Sequence, residues 1–199
     1  MNESYVGVEW WLIRHGLTGW NLQRKYQGHS DEELLPGEAS GLTPLRSKLA
    51  GQSFAGVYCS DLKRCRQTLQ LIRPDWIGQA VYDPRLREMN FGAWEGKTYE
   101  MLKHNPLYRA WIDNPKLYTP PGGELWEQFQ SRVAGFQREL VQKSKELAVS
   151  GNGNLSILLI VTHGGVISML NMLMNPDAGF WDSKVSPGEI MKLKLRSTN

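Results

Sequence analysis

Two apolar runs in the sequence each end in a histidine followed by glycine. The first, LIRHG, ends in His15-Gly16, and the second, IVTHG, ends in His163-Gly164. Continuous apolar runs of this kind are typical of strands that are buried on both faces of a parallel sheet. Because the carboxyl ends of parallel strands share one edge, we expect His15 and His163 to lie close together although they are far apart in the sequence.

Segments that resemble strands alternate with segments that resemble helices. Strands are predicted at residues 8–13, 56–60, 80–83, 155–161 and 190–195. Helices are predicted near residues 42–49 and 98–111, over residues 62–72, from Leu125 onward and after the second His-Gly pair. This alternation is typical of an α/β fold, a three-layer α/β/α sandwich with a mostly parallel central sheet. No segment marks a boundary, so residues 1–199 are expected to form a single domain.

Composition and charge exclude several functional classes. With 41% hydrophobic and 22% charged residues, the chain has an ordinary globular composition. Its net charge of +3 comes from basic residues spread along the chain, which argues against nucleic-acid binding. Cys59 and Cys65 are too few for a secreted disulfide scaffold and are expected to be free thiols. The N-terminus is neither a signal peptide nor a membrane span, so we expect a cytoplasmic protein with no membrane partner.

The segment SDLKRCRQT, residues 60–68, indicates an anion-binding site. If Ser60 caps the helix that follows, then Lys63, Arg64 and Arg66 lie in its first two turns. Cations at that end oppose the helix dipole, whereas an anion bound there would make them favourable. Lys63 is interpreted as a solvated side chain, and at least one of Arg64 and Arg66 is expected to face the strand edge.

The segment LREMNFGAWEG supplies two candidate carboxylates, Glu88 and Glu95. A carboxylic acid that lies beside a bound anion and among apolar residues is a candidate proton donor. Spacing alone does not choose between the two residues.

Three other interpretations are rejected. GAWEGKT, residues 92–98, is one residue shorter than a phosphate-binding P-loop and contains Trp and Glu. Cys59 with Arg64 hints at a cysteine phosphatase, but the intervening cradle of small residues is missing. The four histidines lack the spacing of metal ligands, so no metal site is predicted.

Taken together, these motifs closely resemble the histidine phosphatase superfamily, which includes the cofactor-dependent phosphoglycerate mutases. The motifs are R-H-G, T-x-x-N, S-x-L-x-R, L-x-E-x-x-F-G-x-W-E-G and T-H-G-G, in that order. The resemblance runs from Leu12 to about Leu195 and implies a fold like that of phosphoglycerate mutase.

The resemblance implies a role for each basic motif residue. His15 would be the nucleophile, and Arg14, Arg64 and His163 would surround the phosphoryl group, which selects Arg64 over Arg66. The nearby cations would lower the pKa of His15 and keep it neutral at pH 7. The two arginines and the second histidine would stabilise the charged oxygens where other phosphatases use a metal ion, so no metal or cofactor is implied.

The same resemblance selects Glu88 over Glu95 as the proton donor. His15 would take the phosphoryl group while Glu88 protonates the leaving alcohol, and water deprotonated by Glu88 would then hydrolyse the phosphohistidine. Asn21 and the backbone near Gly28 and Gly164 would line the phosphate pocket.

The short chain and the FGAWEG segment favour a phosphatase over a mutase, which would need additional loops and basic residues to hold a bisphosphate. The segments YRAWIDNP, PPGGE and FQSRV resemble the α-ribazole phosphatase branch. The expected partner is therefore a small phosphomonoester, with α-ribazole phosphate as one candidate. The alternatives are a phosphoglycerate mutase and a non-catalytic protein that binds a phosphorylated ligand.

Overall fold

The computed structural model describes residues 5–150 and 155–196. Within these residues, five strands form one sheet in the order β3-β2-β4-β1-β5. The strands are β1 (Tyr5–Arg14), β2 (Gly56–Cys59), β3 (Val81–Tyr82), β4 (Ser156–Thr162) and β5 (Ile190–Arg196). The four neighbouring strands β3, β2, β4 and β1 are parallel, and β5 is antiparallel to β1, as the prediction of a mostly parallel sheet requires.

The register between β1 and β4 brings the two His-Gly pairs together. Arg14, the last residue of β1, lies opposite Thr162, the last residue of β4. One residue further on, the backbone N–H of His15 donates to the Thr162 carbonyl at 3.0 Å. His15 and His163 therefore leave the same edge of the sheet from adjacent strands.

Eight α-helices are described. They are α1 (Gly19–Leu22), α2 (Glu38–Gly41), α3 (Thr43–Leu49), α4 (Lys63–Ile72), α5 (Tyr99–Leu102), α6 (Pro106–Asp113), α7 (Trp126–Ser150) and α8 (Gly164–Met174). Short 3₁₀ turns occur at Pro74–Trp76, Pro84–Leu86, Gly92–Trp94 and Phe180–Asp182.

Helices cover both faces of the sheet. On β1, Trp10 and Leu12 belong to the core that contains α7 and α8, whereas Trp11 and Ile13 belong to the core that contains α3 and α4. Side chains alternate between the faces of a strand, so a continuous apolar run supplies both cores at once. Burying each such side chain contributes roughly 1.5–3 kcal/mol. The predicted three-layer α/β/α arrangement is confirmed.

The helix predicted near residues 98–111 is two helices, α5 and α6. The side chain of Asn105 accepts hydrogen bonds from the backbone N–H groups of Leu107 and Tyr108, and Pro106 occupies the first turn of α6. Both features start a new helix and interrupt the preceding one.

None of the helices in residues 5–150 and 155–196 has the length and apolar composition of a membrane-spanning segment.

Candidate active site

His15 lies directly after β1 and is 4% exposed. Its Nδ1 lies 2.7 Å from the Gly16 carbonyl oxygen. Because a carbonyl only accepts hydrogen bonds, Nδ1 carries the proton and Nε2 keeps the free lone pair. Burial lowers the pKa of His15 well below 6.5, and the positive charges of Arg64 and Arg14 lower it further, against the hydrogen bond to Gly16. The ring is a neutral imidazole at pH 7 with Nε2 available.

Arg64, near the start of α4, is fully buried and held at three points. Its Nη1 donates to the Ser30 carbonyl at 2.8 Å and its Nη2 to the Gly28 carbonyl at 2.7 Å. Its Nε donates to Nδ1 of His163 at 3.2 Å. A guanidinium has five N–H donors, so two remain for an anion. Arg66 is exposed, so Arg64 is the residue of the pair that faces the strand edge.

His163 follows β4 and contacts His15 edge-on, with 5.2 Å between the ring centroids. Since its Nδ1 accepts from Arg64, its Nε2 carries the proton and donates to Ser60 Oγ at 2.8 Å. Burial and the charge of Arg64 lower the pKa of His163 well below 6.5. Both of its nitrogens are therefore engaged by protein groups.

Ser60 is not the N-cap that the sequence suggested. Helix α4 begins at Lys63, and its N-cap is Leu62, whose side chain makes no capping hydrogen bond. The hydroxyl of Ser60 lies instead at 2.8 Å from Nε2 of His163. The chain stays extended at Leu62, so the N-cap lies two residues beyond Ser60, and Ser60 directly follows β2.

Arg14, the last residue of β1, has an unused donor at the site. Its Nη1 donates to the Val185 carbonyl at 2.9 Å, while its buried Nε has no hydrogen-bond partner among the described residues. A β-carbon added to Gly164 would lie 3.5 Å from this Nε, so Gly164 borders the guanidinium. Buried donors are almost always paired, and an orphan guanidinium N–H beside a neutral imidazole is suited to an anion.

The two carboxylates have different environments. Glu88 Oε1 accepts from the backbone N–H of Met89 and Oε2 from that of Gly165, two residues after His163, at 2.9 Å each. A β-carbon on Gly165 would lie 2.2 Å from Glu88 Oε1, so the Glu88 carboxylate occupies the space that a side chain at this position would take. Glu95 accepts three backbone hydrogen bonds, from His29, Ser30 and Phe91, at 2.6–3.1 Å. Glu95 therefore fixes loops, while Glu88 reaches the strand edge.

Asn21 lies in helix α1, and Gly28 lies in the segment that follows it. The Asn21 side chain accepts from the backbone N–H and hydroxyl of Thr18 at 3.1 Å each, which caps the short helix α1. Gly28 presents its carbonyl to Arg64, and a β-carbon there would lie 2.3 Å from the Met89 carbonyl oxygen. Their contact with a bound phosphate stays a prediction.

The two cysteines are buried free thiols, as predicted. Burial raises the pKa of Cys65 to about 12 and the pKa of Cys59 well above 9.0. Neither is a thiolate at pH 7, which argues against a cysteine nucleophile. The described residues contain no group of three His, Cys, Asp or Glu side chains that could hold a metal ion.

A cavity of about 430 Å³ opens beside Glu88 and was not predicted from the sequence. We call it the aromatic cavity, because six of its lining residues are Tyr26, Phe91, Trp111, Trp126, Phe180 and Trp181. Ser60 and the Val185 carbonyl are the other groups that sequence reasoning missed. Ser60 belonged to a quoted motif but was assigned to a cap, whereas nothing in the sequence marks a backbone carbonyl.

The family of the chain follows from comparison with known proteins. A family model described as the histidine phosphatase superfamily (branch 1) matches residues 10–199. The chain belongs to this superfamily. The predicted family and its phosphatase class are confirmed.

Similar proteins within the superfamily include phosphatases and a mutase-like protein. The adenosylcobalamin/alpha-ribazole phosphatase of Salmonella typhimurium is 32% identical, over 89% of this chain and 86% of its own length. Phosphoglycerate mutase-like protein 4 of Arabidopsis thaliana is 33% identical, over 84% of this chain and 71% of its own length. The crystal structure of the alpha-ribazole phosphatase from Shigella flexneri has a TM-score of 0.78 at 29% identity, covering 92% of this chain and 89% of that one.

Proposed function

We propose that this protein hydrolyses a phosphomonoester through a phosphohistidine intermediate on His15. The observation that carries the proposal is the state of the His15 imidazole. It is neutral, its Nδ1 is engaged by Gly16, and its Nε2 lone pair is free beside two arginines. A fixed, neutral imidazole next to an anion-binding site is suited to attack phosphorus.

The phosphoryl group would be held by Arg14 and Arg64. The orphan Nε of Arg14 and the two spare N–H donors of Arg64 supply charge-assisted hydrogen bonds to its oxygens. Charge on these oxygens is stabilised by such fixed donors in phosphoryl transfer. His163 completes this group of residues: it contacts the His15 ring and orients the Arg64 guanidinium through Nε.

Glu88 would act in both chemical steps. In the first, the bond from Nε2 of His15 to phosphorus forms, the bond to the leaving oxygen breaks, and Glu88 protonates that oxygen. In the second, the Glu88 carboxylate takes a proton from water, whose oxygen attacks phosphorus and breaks the bond to Nε2. Inorganic phosphate leaves, and both residues return to their starting states.

The substrate would be a small phosphorylated metabolite. Relatives named alpha-ribazole phosphatase match most of the chain, which makes α-ribazole phosphate the first candidate to test. We further propose that residues 1–199 act as one domain in the cytoplasm, on a free small molecule, without nucleic acid, membrane, metal or cofactor.

The test is hydrolysis of p-nitrophenyl phosphate by purified protein in excess EDTA, followed by a screen of phosphorylated metabolites. The rate should be the same with EDTA and with added magnesium, because arginines take the place of a metal ion. A His15→Ala preparation, purified identically, measures any contaminating phosphatase. Activity that disappears with EDTA and returns with magnesium would contradict the proposal.

A further inference from the structure

The aromatic cavity begins at the proposed proton donor. Glu88 and Gly165 line it, and these two residues are joined by the hydrogen bond from the Gly165 N–H to Glu88 Oε2. An ester whose leaving oxygen is protonated by Glu88 therefore directs the carbon part of its alcohol toward this cavity. A volume of about 430 Å³ lies within the roughly 300–1,000 Å³ typical of small-molecule sites.

The inner wall of the aromatic cavity is fixed before a ligand arrives. Phe91 lies 5.1 Å from Tyr26 and 6.0 Å from Trp111, measured between ring centroids. The hydroxyl of Tyr26 is tied to that of Tyr108 at 2.6 Å, which holds the Tyr26 ring in place. A wall made of ring edges and faces favours binding of a ligand that carries another planar ring. Because the wall is already formed, ligand binding does not cost the conformational entropy of ordering these side chains.

The outer wall of the cavity contains an exposed indole. Phe180 contacts both Trp126 and Trp181 edge-on, with 4.8 Å between centroids in each pair. Trp126 is buried, whereas Trp181 is 62% exposed. Trp181 therefore offers free ring surface at the cavity mouth that a ligand could cover.

The lining of the cavity offers no counter-ion to an acidic alcohol. Among the residues that line it, Glu88 is the charged one, and no lysine or arginine joins it there. Lys116 lies near the cavity, with Nζ 6.0 Å from the Trp126 ring centroid, but it does not line the wall. Arg14 and Lys184 line an adjoining cavity on the other side of Phe180 and Trp181, and they do not line this one either. A carboxylate placed beside Glu88 in an apolar cavity would lose hydration without gaining a counter-ion.

We propose that the aromatic cavity selects phosphomonoesters whose leaving alcohol carries an uncharged planar aromatic ring, and that Trp181 is a specificity-determining residue. This inference rests on the proposed function, because the cavity matters only if Glu88 protonates the leaving oxygen. The cavity would therefore discriminate against phosphates of small hydroxy acids, because it offers no counter-ion for their carboxylates.

The test compares kcat/KM for three esters whose alcohols have similar acidity: ethyl, 2-cyclohexylethyl and 2-phenylethyl phosphate. The phenyl ester should exceed the ethyl ester by about 10- to 100-fold, because its ring is buried in the cavity. It should exceed the cyclohexyl ester by about 2- to 10-fold, since both are apolar but only phenyl is planar. O-phosphoserine should be no better than ethyl phosphate.

Variants of Trp181 test whether the preference arises in this cavity. Trp181→Ala should lower the phenyl-to-ethyl ratio by about 3- to 10-fold, and Trp181→Phe should retain most of it. Leu155→Ala is the matched control. Leu155 is 58% exposed and precedes β4 at the end opposite His163, so its ratio should equal that of wild type.

Three results would overturn the inference while leaving the proposed function intact: equal values for phenyl and cyclohexyl esters, O-phosphoserine matching the phenyl ester, or an unchanged ratio in Trp181→Ala. Absence of hydrolysis for every ester, p-nitrophenyl phosphate included, would overturn the proposed function and this inference with it.

Discussion

The proposed phosphoryl-binding end of the site, formed by Arg14, His15, Arg64 and His163, meets the aromatic cavity at Glu88, and the two regions are built in opposite ways. Arg14 ends β1, and His15 and His163 directly follow β1 and β4, so the sheet register fixes their positions. Arg64 lies in the first turn of α4, which follows the neighbouring strand β2. The cavity walls come from segments distant in sequence, at Tyr26, Phe91, α6, the start of α7 and the turn Phe180–Asp182.

In our proposals, the first region carries out the chemistry and the cavity determines the specificity. At the phosphoryl-binding end, hydrogen bonds to backbone carbonyls and between side chains hold charged and polar groups in place. In the cavity, ring contacts define a shape but present little charge. Substitutions at the first end should therefore slow all esters alike, whereas substitutions in the cavity should change the preference among esters.

Glu88 lies at the boundary, and its substitution gives the largest difference between esters. Glu88→Gln should slow phosphoryl transfer from ethyl phosphate by about 10²–10⁴-fold, because an alkoxide needs a proton to leave. Transfer from p-nitrophenyl phosphate should slow much less, since its phenolate leaves without one. The measurement is the single-turnover rate of phosphoenzyme formation, which excludes the later attack of water.

Glu95→Gln is the control for this experiment. Glu95 holds backbone N–H groups of His29, Ser30 and Phe91, so its substitution should lower stability and affect both esters equally. Equal losses for both esters in Glu88→Gln would show that Glu88 is not the acid.

Arg64→Lys tests the phosphoryl-binding end alone, with a smaller expected effect. An ammonium cannot reproduce the three hydrogen bonds and the two spare donors of this guanidinium. We expect kcat/KM to fall about 10²–10³-fold, equally for aromatic and alkyl esters, with weaker inhibition by inorganic phosphate. Thermal melting would establish that the variant is folded at the assay temperature.

Arg66→Lys is the matched control, two residues along the same helix. Arg66 is exposed, and its guanidinium lies over the Tyr82 ring at 4.5 Å, away from Arg64. Arg66→Lys should therefore have the same kcat/KM as the wild-type protein for both kinds of ester. A loss in Arg66→Lys as large as that in Arg64→Lys, or a change in ester preference in Arg64→Lys, would break the separation between the two regions.

The sequence predicted the phosphoryl-binding end because that end depends on local pattern. Apolar runs identify buried strands, and parallel strands end at one edge of the sheet, so His15 and His163 are expected to lie close together. In the structure their ring centroids are 5.2 Å apart. Local pattern also produced the errors. A serine just before a helical pattern resembles an N-cap, but the helix starts at Lys63 and the Ser60 hydroxyl contacts His163 instead, a tertiary contact that local pattern does not reveal.

The aromatic cavity could not be predicted in this way. Trp111 and Trp126 have the spacing of ordinary core residues on their helices, and both are in fact buried. Their additional role depends on where Phe180 and Trp181 fall, which is set by the loop after α8 rather than by any periodic pattern. The same limit applies to the Val185 carbonyl that holds Arg14.

The most direct test of the central claim is to locate the phosphoryl group in the trapped intermediate. Wild-type protein is mixed with a phosphomonoester, quenched in alkali within one turnover, and digested for mass spectrometry, with His15→Ala as the control. The phosphoryl group should lie on His15 alone, stable in base and labile in acid, and His15→Ala should be folded by circular dichroism, unlabelled and inactive. A phosphoryl group on a serine or cysteine, or turnover by His15→Ala, would contradict the account.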